Sequence, residues 1–96
     1  MTLYRNALGY VIRDARLKRG MNLRDVATKA PMSLGYLSEV ERGQKELSSE
    51  FIILIAKALG TTVSALAFQV AVTLEDWEQQ EANKQELQEL LATPTI

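Results

Sequence analysis

Apolar positions fall at helical spacing almost from the start of the chain. Leu8, Val11, Ile12 and Ala15 follow the i, i+3, i+4, i+7 rhythm of one buried stripe, and Gly20 stands where a left-handed C-terminal cap belongs, which predicts a helix over about 5–19. Asn22 offers a side-chain acceptor to the next helix's free amides, with Asp25 three residues on. Leu23, Val26, Ala27 and Ala30 then form the inner face of a short helix over about 23–30. Pro31 cannot continue it, and Ser33 caps a third helix, about 34–42, with Leu37 and Val40 inward and Gly43 as its stop. Ser48 or Ser49 caps a fourth, about 49–59, closed by Gly60. Its run from Phe51 to Leu59 has almost no polar side, which places it at the centre of the domain.

Two further helices follow from the cap signals. Ser64 starts a short one over about 65–70, completing a compact domain over residues 1–70. Thr73, ahead of Glu75 and Asp76, starts a longer one over 73–92 that runs toward Pro94. Leu74 and Trp77 lie at one end of this last helix and Leu87, Leu90 and Leu91 at the other, with a polar stretch between. Such a helix cannot bury its whole length in its own small domain. It either meets a partner chain or forms a solvated tail. The fold class expected is therefore all-α.

Composition narrows the chemistry. The 96 residues contain neither Cys nor His, which removes disulfides, thiol nucleophiles, imidazole bases and Cys/His zinc sites, and no glycine-rich phosphate loop is present. An enzyme and a bound cofactor are not expected. No apolar run is long enough to span a membrane and the N-terminus lacks a secretory pattern, so the expected compartment is the cytoplasm. The net charge of -1 conceals an asymmetry: residues 1–45 hold nine Lys and Arg against four acids, whereas residues 46–96 hold two Lys against eight acids. The first half suits a polyanion, and the acidic last helix should face away from it.

Two short capped helices joined by a tight turn inside the basic half point to double-stranded DNA. A helix fits the roughly 12 Å wide major groove, and in a helix-turn-helix the second helix presents its N-terminal residues to base edges. With Leu37 and Val40 buried, the outward set is Leu34, Gly35, Tyr36, Ser38 and Glu39.

The segments Ile12-Arg13-Asp14-Ala15-Arg16, Leu23-Arg24-Asp25-Val26-Ala27, Tyr36-Leu37-Ser38, Glu41-Arg42-Gly43 and Ile55-Ala56-Lys57-Ala58-Leu59 resemble the Cro/C1-type (XRE) helix-turn-helix family over residues 8–68. The string from Ser33 to Glu46, followed by Ser48-Ser49-Glu50, more narrowly resembles the ClgR-type Clp-gene regulators. The resemblance implies a lambda-repressor-like domain of five helices plus the longer C-terminal helix. It also implies a nucleoid-associated, homodimeric activator of Clp protease genes, with RNA polymerase and a regulatory protease as further partners. Base reading falls on Leu34, Gly35 and Glu39, with Tyr36 and Ser38 beside them. Leu34 meets a thymine methyl or packs in the core. Glu39 accepts from cytosine N4 or faces solvent. Gly35 lets the helix approach the groove floor.

Phosphate contacts are expected from Leu23 and Arg24 at the start of the second helix, from Ser33, and from Arg42, Gln44, Lys45, Ser48 and Ser49 after the third; for the serines, capping alone is the competing role. The family resemblance also implies a structural ion pair between Arg16 and Glu41. Pro31 departs from the family's usual Gly in the turn, so the turn must differ locally. Candidates for the dimer surface are Phe51, Leu54, Val63, Leu66, Phe68, Leu74, Trp77, Leu87 and Leu91. The alternative function is an antitoxin-like or phage-type repressor whose C-terminal helix binds a partner protein. No small-molecule effector is expected, since the length leaves no separate sensor domain.

Overall fold

The computed structural model describes residues 3–92, which form α1 (Tyr4–Lys18), α2 (Leu23–Lys29), α3 (Leu34–Glu41), α4 (Ser49–Ala58) and α5 (Val63–Ala92), with no strand among them. Residues 1 and 2 of the expected domain, and Pro94 as the expected terminator, lie outside the described residues.

Local side-chain chemistry sets the helix starts. Asn22 and Asp25 make a reciprocal capping box on α2: the Asn22 side chain accepts from the Asp25 N–H at 2.8 Å and the Asp25 carboxylate from the Asn22 N–H at 2.9 Å. Ser33 and Ser48 cap α3 and α4 by accepting from the Tyr36 and Phe51 N–H groups. Glycine sets three of the ends. After α3, Gly43 turns to a φ of 72°, and the N–H groups of Gly43 and Gln44 reach back to the carbonyls of Val40 and Glu39; Gly20 and Gly60 close α1 and α4 in the same way.

Pro31 occupies the corresponding place after α2 and solves it differently. It has no N–H and cannot reach a positive φ, yet the Met32 N–H still bonds the Ala27 carbonyl at 3.1 Å. One of the two closing hydrogen bonds is kept without any left-handed residue.

The core forms where α1 packs on α3 and α5, and α2 on α3 and α4, with Ile12, Val26, Leu37, Val40, Ile55 and Val70 fully buried. In α4 the centre holds Ile55, Ala56 and Ala58, while Ile53 points to solvent, so the helix lies against the body rather than inside it.

The expected break between helices over 65–70 and 73–92 is absent: residues 63–92 form one helix. Thr62, not Ser64, supplies the start, its Oγ1 accepting from the Ala65 N–H at 3.1 Å. Thr73 lies inside the helix, because no Gly or Pro interrupts residues 61–93. The packed body accordingly extends past residue 70. Leu66 and Val70 are buried, and Val63, Leu74 and Trp77 pack partly against the core. From Glu78 onward every described residue is exposed, so α5 projects and the molecule measures 63 × 25 × 24 Å. Among the described residues no single helix is long and apolar enough to cross a membrane.

Candidate nucleic-acid interface

α2 and α3 pack against each other within the basic half of the chain. On α3, Leu34 is 40% exposed and Gly35 is exposed, whereas Leu37 and Val40 are buried beneath them. A Cβ at Gly35 would meet nothing within 4 Å, so this edge of the helix is open. Ser38 and Glu39 are half-buried. Arg24 is exposed beside half-buried Leu23 on α2, and Arg42, Gln44, Lys45, Ser48 and Ser49 are exposed from the end of α3 to the start of α4.

Tyr36 departs from the outward, base-facing placement expected of it. Its hydroxyl donates to the Glu46 carbonyl at 2.9 Å, and its ring packs against Phe51 with centroids 5.4 Å apart. Its polar end is committed to the loop after α3. Phe51, expected on a dimer surface, is engaged here within its own chain. The same holds for Leu66, which is only 3% exposed, and for Trp77, whose ring meets Tyr10 edge-on at 5.5 Å. Phe68, Leu87 and Leu91 remain exposed; Leu54, Val63 and Leu74 are partly buried.

A buried ion pair fixes α3 against α1. Arg16 donates through Nε and Nη2 to the two carboxylate oxygens of Glu41 at 2.8 and 2.9 Å, and through Nη1 to the Met21 carbonyl at 2.9 Å. The two side chains are 9% and 5% exposed. The hydrogen bond to Glu41 raises the Arg16 pKa, and the carboxylate's charge adds to it, outweighing the opposing effect of burial. Each nitrogen of the fork has a partner, and no buried side-chain polar atom lacks one among the described residues.

Several positioning residues lie outside the helix-turn-helix motif. Gly9 lets α1 press on the end of α3: a Cβ there would collide with the carbonyl oxygens of Val40 and Glu41. Its signal was an isolated glycine inside a helical pattern, which costs stability unless packing requires it. Arg5 donates through Nε to the Gly43 carbonyl at 2.8 Å and pairs through Nη1 with Glu46 at 3.1 Å. Asn6 packs against Gly43. These contacts span about forty residues of chain and have no local signature.

The arrangement can seat one short helix edge against a duplex, flanked by cations and capped helix ends. Among the described residues no cluster of acidic side chains is placed to hold a metal ion. A helix-turn-helix family model matches residues 12–66. The transcriptional regulator ClgR of Mycobacterium tuberculosis is 48% identical over 64 residues, 67% of this chain and 57% of that protein, so the chain spans little more than half the length of the curated relatives it matches. The crystal structure of the clp gene regulator ClgR from Corynebacterium glutamicum superimposes with a TM-score of 0.86 at 38% identity, covering 90% of this chain and 92% of that one. The restriction-modification controller protein C.Esp1396I, solved as a tetramer in complex with its natural 35 base-pair operator, is 25% identical with a TM-score of 0.71, over 76% of this chain and 96% of that one. Sequence and fold thus agree that this chain belongs to the helix-turn-helix family, among its ClgR-type transcriptional regulators.

Proposed function

We propose that this chain is a cytoplasmic, homodimeric activator of Clp protease genes that reads a near-palindromic operator by seating the α3 helix of each copy in a major groove. The observation that carries the reading is the open edge of α3: Leu34 and Gly35 face solvent at its N-terminal end, directly above the buried Leu37. A side-chain-free step beside an exposed apolar one suits close approach to a groove floor and contact with a thymine methyl. Glu39 adds an acceptor for cytosine N4. Arg24, Arg42, Gln44 and Lys45 supply phosphate contacts, with Ser33, Ser48 and Ser49 at the capped helix ends beside them. The ClgR of C. glutamicum is a clp gene regulator, which supports the target, and C.Esp1396I is solved on its operator as a tetramer, which supports binding by more than one copy. Two copies would set their reading helices about 34 Å apart, one turn of B-DNA. RNA polymerase is then the partner through which the bound dimer activates.

The test is binding to Clp-gene promoter fragments and to an unrelated duplex across a salt series, with the mass measured by sedimentation and transcription by a promoter reporter. The reading requires promoter-selective binding by a dimer, weakening linearly on a log scale as salt rises, and a reporter signal that increases with the protein. Equal, weak binding to both duplexes by a monomer would sink it.

A further inference from the structure

We propose that Arg5 is a positioning residue for DNA binding, masking the single acid of the loop between α3 and α4 and holding that loop where Gln44 and Lys45 can meet phosphate; the inference rests on the DNA-binding reading above. Residues 42–49 contain one acid, Glu46, whose side chain is 78% exposed. Glu41, just before them, has its carboxylate consumed by Arg16. Glu46 is thus the carboxylate next to Lys45 in the chain, with exposed Glu50 following in the first turn of α4, and a bare carboxylate at Glu46 would repel the phosphates that Lys45 is to contact.

Arg5 answers this from the first turn of α1. Its Nη1 pairs with Glu46 Oε1 at 3.1 Å while its Nε donates to the Gly43 carbonyl at 2.8 Å, so one guanidinium grips both ends of the segment that carries Gln44 and Lys45. Tyr36 holds the same segment from α3, through its hydroxyl to the Glu46 carbonyl. An exposed ion pair adds little to folding stability, so the bridge matters chiefly through the loop's charge and position. The Arg5 guanidinium engages Gly43 and Glu46, away from Leu34 and Gly35 in the chain, and its influence is on phosphate affinity rather than base choice.

The experiment uses the whole chain with a Clp-gene promoter fragment and an unrelated duplex, for the parent, Arg5→Ala, Glu46→Gln and the double variant. Arg5→Ala is expected to weaken binding to both duplexes by the same factor, about 3- to 10-fold at low salt and less as salt rises, with the unfolding temperature little changed. Adding Glu46→Gln should restore most of the loss, which a merely structural role for Arg5 would not allow. Arg5→Ala binding as the parent does, or a loss that Glu46→Gln does not relieve, overturns the proposal while leaving the DNA-binding reading intact. A parent that binds neither duplex overturns both. Should Arg5→Ala unfold, Glu46→Gln alone decides: it must bind both duplexes at least as tightly as the parent, and weaker binding refutes the masking role.

Discussion

Arg16 and Glu41 meet as a two-pronged ion pair across the α1–α3 contact, with both carboxylate oxygens engaged and both side chains almost wholly out of water. The pair fixes the C-terminal end of the proposed reading helix, and Arg16's third donor ties the same point to the Met21 carbonyl that leads into α2. One side chain thus ties α1 both to the end of α3 and to the segment that leads into α2.

Replacing only one partner leaves the other charge buried and unpaired. Arg16→Ala or Glu41→Ala is expected to cost about 3–5 kcal/mol, and a double Arg16→Met, Glu41→Leu variant much less than the two losses combined. Thermal unfolding reads this directly, because a fall of more than about 10 °C is expected of each single variant in a domain of this size. Alkaline pH is no substitute for the mutation. The Arg16 pKa is raised on folding, so its contribution is fully present below the unfolded value and is lost only as pH rises through the still higher folded one. Unfolding temperatures between about pH 7 and 10 should carry no step from this group. An Arg16→Ala protein as stable as its parent would remove the pair from the account.

Two helical glycines should respond in opposite directions to the same change. At Gly9 a new Cβ runs into backbone carbonyls of Val40 and Glu41, which cannot yield as a side chain can, so Gly9→Ala is expected to destabilise by about 1–3 kcal/mol despite the better helix propensity. At Gly35 the space is open. Gly35→Ala should stabilise the fold by up to about 1 kcal/mol while weakening operator binding, if α3 approaches the groove floor there. Measuring unfolding and binding on the same two proteins separates the roles, and a Gly35→Ala protein with unchanged operator affinity would argue against close approach at that residue.

The contrast between these glycines shows what was legible in the chain. Helix ends could be read because their chemistry is local: Asn22, Ser33 and Gly43 act on atoms within a few residues. Ser48 caps the fourth helix by the same local chemistry. At Thr73-Leu74-Glu75-Asp76 the local signal misled, since good capping residues are also tolerated inside a helix, and the uninterrupted stretch from Gly60 to Pro94 was the stronger cue. Tyr36, Phe51 and Leu66 invite an outward or partner-facing reading because a single apolar or aromatic residue does not say which neighbour will cover it. Arg5 and Glu46, 41 residues apart, could be paired only by the fold.

Leu34 offers the cleanest test of base reading. At 40% exposure, its truncation to Ala should alter stability by under about 1 kcal/mol, as for ordinary surface positions. If its methyls meet a thymine, operator affinity falls by about 1–3 kcal/mol while affinity for an unrelated duplex stays unchanged. Arg24→Ala is the control of opposite character: a lost phosphate contact weakens binding to both duplexes alike and flattens the salt dependence by about one unit of slope. Equal losses on both duplexes for Leu34→Ala would move that residue from reading to packing.

Self-association should depend on the face of α5 turned away from the core. Phe68 is 65% exposed and Val72 stands one turn further on, also exposed, while Leu66 and Val70 on the opposite side are sealed in the body. A charge at Phe68 therefore has little to disrupt inside one chain. Phe68→Asp is expected to keep the unfolding temperature of the isolated fold and its helical circular dichroism but to sediment as a monomer. Because two linked half-sites bind far more tightly than one, operator affinity should drop by about 100-fold or more. Ending the chain after Glu78 is the companion variant: none of the described residues it removes is buried, so the body should remain folded, and its sedimenting mass tells whether Leu87, Leu90 and Leu91 contribute to pairing. A Phe68→Asp protein that remains dimeric would shift the interface to that distal leucine cluster.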